Sequence, residues 1–179
     1  MLATIHRLGS SLNMDARQKI YTAFVAPHIN YCLPVWGNGS RTAASGLEKS
    51  LNRAVHVINN SSSISLGSQS AVITGIQSFH YQLFIRNVTS VFKILHNSKE
   101  DYYLNASLLM NSSLSNSRVT RNMDSRKFLI PHHNKICDER CFQYSAVRDW
   151  NMLPSSATCL TNFSSFLKAA NSFALNNQF

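Results

Sequence analysis

Residues 21–38 read YTAFVAPHINYCLPVWGN, and residues 144–154 read YSAVRDWNMLP. In each stretch a Trp stands close to a turn-forming residue, Trp36 before Gly37 and Trp150 shortly ahead of Pro154. A large ring beside a chain reversal can close a junction between helices, so Trp36 and Trp150 are both expected as core anchors. Ahead of the first knot, Ala16, Ile20 and Phe24 recur at steps of four, the spacing of one helix face. Asn13 offers the N-cap, and Asp15 suits the positive end of the helix dipole. Pro27 lacks a backbone N–H and should end or kink the helix near Val25. The reading is a helix over 14–26, a turn after it, and Tyr21, Phe24, Tyr31 and Trp36 buried together.

Helical spacing continues on both sides. Leu2, Ile5, Leu8 and Leu12 predict a helix over 2–11. It begins at Met1 with no capping residue before it, as a piece of a longer reading frame would. A helix over 42–59 turns Leu47, Leu51, Ala54 or Val55, and Ile58 inward, with Lys49, Arg53 and His56 on another face. A longer one over 78–97 carries Phe79, Leu83 or Phe84, Val88, Val91 or Phe92, and Leu95, with Arg86 and Lys93 on its polar side. Near the end, Phe163, Phe166, Leu167, Ala170, and Phe173 or Ala174 predict a helix over 162–175. Residues 142–150 suit one or two helical turns. Residues 127–131, KFLIP, are short, apolar and stopped by Pro131, as a strand or extended segment would be. The expected fold is mainly α, a helical bundle with a small mixed C-terminal extension. Its organisation is a helical region over 1–104 with a hinge near 61–70, a Ser/Asn-rich linker over 105–125, and the extension over 126–179, ending in a helix.

Composition sets outer limits. The apolar share is 44%, enough for a core, while only 14% of residues are charged. Lys and Arg number 17 against 8 Asp and Glu, a formal +9, and such an excess attracts polyanions. The longest apolar runs are broken by Tyr, Thr, Pro and His and fall short of a membrane span. No signal-peptide core precedes His6 and Arg7. Cys32, Cys137, Cys141 and Cys159 then read as free thiols, and the compartment as cytoplasmic or nuclear.

Five blocks in order carry a resemblance. Tyr21, Pro27-His28, Tyr31-Cys32 and Trp36-Gly37 come first, followed by the helix segment 51–58, LNRAVHVI. Residues 92–97, FKILHN, and Tyr103-Leu104 are next, and Thr120-Arg121 follows. Phe142, Tyr144, Trp150, Asn151, Leu153 and Pro154 form the last block, before Phe163 and Phe166 of a Phe-x-x-Phe helix. In this order the chain resembles the region after the palm in reverse transcriptases of retrotransposons without long terminal repeats, the LINE- and jockey-like elements. His56 departs from the pattern, standing where a basic side chain is common. The resemblance implies a helical thumb followed by a C-terminal extension, which together hold the primer–template duplex of RNA and DNA. It also implies partners in the missing palm and fingers.

The chemistry of a polymerase is another matter. Two-metal catalysis needs carboxylates holding ions about 4 Å apart. The family's aromatic-x-Asp-Asp turn is missing here, since no two Asp are adjacent anywhere in the chain. With no Gly-rich phosphate loop either, the expectation is a chain with no catalytic residues, no cofactor and no enzymatic activity of its own. His132, His133, Cys137 and Cys141 are weak candidates for a zinc site, because their spacing matches no familiar finger. His28 and Cys32, four apart, suit a packed His and a buried Cys better than a reactive pair. The nucleic-acid-binding residues are taken to be Lys49, Arg53, Arg86 and Lys93, because gripping phosphates needs only cations spaced along helix faces. Arg118, Arg121, Arg126 and Lys127 form a looser second run. The leading functional expectation is a palm-less fragment of an RNA-directed DNA polymerase. The alternative is a host-retained basic interaction protein.

Overall fold

Asn13 caps a helix: its Oδ1 accepts from the Ala16 N–H at 2.8 Å, supplying one of the bonds a first helical turn lacks. The computed structural model describes residue 7 and residues 11–59, 74–96, 127–130 and 140–177. After the Asn13 cap come α1 (Met14–Ile20), a π-helical stretch (Tyr21–Val25), α2 (Ala26–Asn30), α3 (Leu33–Trp36) and α4 (Arg41–Asn59). Then follow α5 (Phe79–His96), α6 (Phe142–Met152), α7 (Ser155–Thr158) and α8 (Phe163–Asn176). The described residues are mainly helical. The helices expected over 42–59, 78–97 and 162–175 appear as α4, α5 and α8, each within a residue of its expected ends. The segment expected as one or two turns runs for 11 residues as α6. The helix expected over 2–11, the hinge near 61–70 and the linker over 105–125 lie outside the described residues, save residues 7 and 11.

The helix that Pro27 was expected to end or kink near Val25 does not end there: it passes through the π-helical stretch and runs on to Asn30. The π-helical stretch explains this. The Ala26 N–H bonds back five residues to the Tyr21 carbonyl, so a new α segment begins at Ala26. Pro27 then sits in the first turn, where a missing N–H costs little. One inserted residue also rotates everything after it by about 100°. After the buried Arg17 and Tyr21, the half-buried Val25 and Ile29 and the buried Leu33 continue that side, while Phe24 is turned out; Ala16 and Ile20 are half-buried. The four-ring knot does not form. Tyr21 is 6% exposed, but Phe24 is 55%, Tyr31 76% and Trp36 43% exposed. Burial pushes the Tyr21 hydroxyl up to about 12.

Two units divide the chain, Met1–Gln82 and Leu83–Phe179, and the boundary falls within α5. In the first, Leu33, Leu51, Ala54, Val55 and Ile58 are buried around a charged residue, Arg17. Its guanidinium donates to the Leu12 carbonyl from Nε at 3.0 Å and from Nη2 at 2.7 Å. Nη1 reaches the Val57 and Ile58 carbonyls at 3.2 and 3.0 Å. Those carbonyls belong to the last turn of α4, which has no intrahelical donors for them and carries the negative end of the dipole. Gln18 adds a second tie, donating from Nε2 to the Thr74 carbonyl at 3.1 Å.

The second unit is an aromatic core. Phe92 stacks on Phe166 at 4.4 Å, and Phe166 on Trp150 at 5.6 Å. Trp150 is 2% exposed, as an anchor should be. Beside it, Asn151 acts like a strand neighbour for Phe128. Its Nδ2 donates to the Phe128 carbonyl at 2.8 Å, and its Oδ1 accepts from the Phe128 N–H at 3.0 Å. The segment read as a strand or extended piece is thus held extended at Phe128 by a side chain, and no strand occurs among the described residues.

Arg17→Ala should cost on the order of 3 kcal/mol, because it strands buried carbonyls that a charged donor had satisfied. Arg17→Lys should recover only part of that, since an ammonium cannot span both carbonyl sets as a planar fork does. Urea unfolding of the two variants checks this; equal stability of Arg17→Ala and the parent protein would show that the guanidinium is dispensable.

Candidate nucleic-acid interface

Helix α4 buries Leu51, Ala54, Val55, Val57 and Ile58 and leaves Lys49 and Arg53 exposed, one turn apart on the same side. Its one acid, Glu48, points elsewhere. Glu48 Oε2 accepts from the Phe79 N–H at 2.8 Å, satisfying a free donor in the first turn of α5. Among the described residues, Lys49 and Arg53 have neither an ion pair nor a hydrogen bond through their side chains. His56 on the same helix is half-buried.

Helix α5 carries Arg86 and Lys93 in the second unit, and the sequence Phe79–His96 contains no Asp or Glu. Both side chains are exposed, while Leu83, Phe84, Val88, Val91 and Phe92 are buried. Lys93 Nζ lies 5.6 Å from the centre of the Phe163 ring, a cation–π contact that restrains the side chain and keeps its charge. The expected site residues thus occur as two cationic pairs, one in each unit.

Other candidates fare differently. Trp36, expected as a core anchor, is 43% exposed on α3, beyond the break at Cys32. His28 and Cys32, expected to pack, are both exposed. Cys32 adopts the left-handed conformation, with φ of 49°, at the break between α2 and α3. Cys141 is exposed at the N-cap of α6, and His132, His133 and Cys137 lie outside the described residues. Arg118, Arg121 and Arg126 lie outside them too, while Lys127 is half-buried. No described helix is long and apolar enough to cross a membrane.

Sequence reasoning passed over one polar pair. Asn87, fully buried on α5, donates from Nδ2 to Asp149 Oδ2 on α6 at 2.7 Å. Arg148 reaches Asp149 Oδ1 from Nε at 3.2 Å and Nη2 at 3.1 Å. Burial pushes the Asp149 carboxyl above its ordinary value, and the Asn87 and Arg148 donors pull it partly back. The one available signal was spacing. Asp149 stands four residues after Ser145 and three after Ala146, both buried.

Comparison with protein-family models, with curated proteins and with solved structures finds no match to this chain.

Because the folded Asp149 titrates above the ordinary carboxylate value of 3.8, its contribution is most favourable below that value. It is lost as pH rises through the raised one. Asn87→Ala removes a donor to the charged form and should cost about 1.5–3 kcal/mol at neutral pH. The cost should shrink at acid pH, where Asp149 holds its proton. Unfolding titrations across that range test this. A cost independent of pH would reduce Asn87 to packing.

Proposed function

We propose that this chain is the thumb and C-terminal extension of a reverse transcriptase of the kind found in retrotransposons without long terminal repeats. In this reading it grips a primer–template duplex through phosphates and leaves catalysis to a palm supplied elsewhere in the parent protein. The observation that carries the proposal is the division of α4 and α5 into a buried apolar side and an exposed cationic one. Lys49, Arg53 and Arg86 face solvent without a described counter-ion. Phosphate contacts position a protein on a duplex without reading its sequence, which is the task of a polymerase thumb. The ordered blocks add support, since Trp150, Asn151 and Leu153 of the last block all have structural work: Trp150 and Leu153 are buried and Asn151 holds Phe128.

With four phosphate contacts, binding to duplex should weaken with salt along a log–log slope of roughly −3 to −4. Replacing Lys49 and Arg53 together, or Arg86 and Lys93 together, should flatten the slope by about two units for unrelated sequences alike. An unchanged slope after both double substitutions would move binding to other cations and sink the assignment.

Primer extension with Mg²⁺ should show no nucleotide incorporation by the purified chain. The sequence has no two adjacent Asp, the pair with which the family's palm holds its metal ions. Metal-dependent incorporation by clean protein would overturn the palm-less reading.

A further inference from the structure

The outward side of residues 24–36 is aromatic. Phe24, His28 and Tyr31 follow one another at steps of four and three, and all three are exposed. Tyr31 is the most open, at 76%. Trp36 joins them through its Nε1, which donates to the Tyr31 carbonyl at 2.6 Å. The indole also stacks on Phe79, at 6.1 Å between centres and 24° between planes. Phe79 is buried, so the indole rests on a rigid floor while 43% of Trp36 stays in solvent. These rings are costly to leave in water, and the π-helical insertion is what turns Phe24 outward. Insertions of this kind recur at functional sites.

The chemistry of the surroundings selects the occupant. Residues 21–47 contain no Asp or Glu, while Arg41 is exposed at the start of α4 and Lys49 and Arg53 follow on that helix. Exposed rings also serve protein interfaces, so the charge of the segment is what selects the occupant. Flat rings on an acid-free segment, followed on α4 by Arg41, Lys49 and Arg53 and by one acid, Glu48, that is engaged by the Phe79 N–H, complement a polyanion that presents π-faces of its own. A fully paired duplex hides those faces in its own stack.

We propose that Phe24, Tyr31 and Trp36 form a stacking platform for the unpaired bases of a single-stranded nucleic acid, in the same unit as the cations Lys49 and Arg53. This rests on the nucleic-acid reading above and adds a strand type and a contact mode to it. Stacking on such rings tolerates any base, so the platform gives affinity without sequence preference.

Fluorescence anisotropy with labelled oligothymidylate and with an abasic oligonucleotide of equal length separates base contacts from phosphate contacts. The full chain is expected to bind the oligothymidylate more tightly. Tyr31→Ala should weaken that binding by about 5- to 100-fold, with the salt slope and the abasic affinity unchanged. Tyr31→Phe keeps the ring and should keep the affinity. Tyr31 is exposed, so this variant does not test folding; circular dichroism of each variant verifies the helices. If Tyr31→Ala and Phe24→Ala bind both oligonucleotides as the parent does, the platform is overturned while a salt-dependent phosphate grip survives. If neither oligonucleotide nor duplex binds, the nucleic-acid reading falls and takes the platform with it. Self-association that Tyr31→Ala abolishes, alongside equal affinity for both oligonucleotides, would assign these rings to a second copy of the chain and also overturn it.

Discussion

The guanidinium of Arg17 is the constraint on which the first unit depends. It joins the start of α1, through the Leu12 carbonyl, to the last turn of α4, through the Val57 and Ile58 carbonyls. A charge buried to 7% exposure is destabilising unless its donors are used, and here Nε and both terminal nitrogens find carbonyl oxygens. The end of a helix dipole is a suitable partner, because its carbonyls are unpaired and carry partial negative charge. Once Arg17 points inward, the side of α1 that faces the core is set. Tyr21 follows it four residues later into the same interior.

From that point the π-helical insertion decides which residues stay inside. A regular helix would carry Phe24 and His28 round toward the inward side. The extra residue brings Val25 and Ile29 there in their place and lets Leu33 become completely buried. Leu33 is enclosed with Tyr21, and the rings of Phe24, Tyr31 and Trp36 are left exposed. The left-handed Cys32 completes the change of direction between α2 and α3. A non-glycine residue in that conformation is strained and persists only where its surroundings hold it. Structure and surface chemistry here have one cause, a single residue of helical register.

The second unit relies on ring packing and on two side-chain amides. Trp150 fills the space between Phe166 and Phe128, and Asn151, next in sequence, fixes the Phe128 backbone from both its donor and its acceptor. Adjacent residues on one helix thus take up the hydrophobic and the hydrogen-bonding halves of the same contact. Asn87 does similar work for Asp149, whose carboxylate is buried with donors to both oxygens. Hydrogen bonds of this sort add directional demands to a core whose ring contacts are tolerant of small shifts.

Helix positions were legible because apolar residues at three- and four-residue steps are a local property. Leu51 with Ile58, Val88 with Phe92, and Phe166 with Ala170 mark α4, α5 and α8 with little help from the rest of the chain. The exposure of Lys49, Arg53, Arg86 and Lys93 was legible for the same reason, as the polar complement of those faces. Trp150 was a sound anchor because it stands within such a helix. The environment of Trp36 was not legible. It depended on a π-helical turn that no composition signal marks, and on Phe79, forty-three residues further along the chain. Arg17 was invisible in the same way, since an arginine in a helix ordinarily belongs on the solvated side. Local spacing by itself determined where the helices are and which faces of the long ones are apolar. Only the tertiary structure decided which side of the first helix is buried and where the aromatic rings point, because hydrogen bonds between residues far apart in sequence outweigh one residue's local preference.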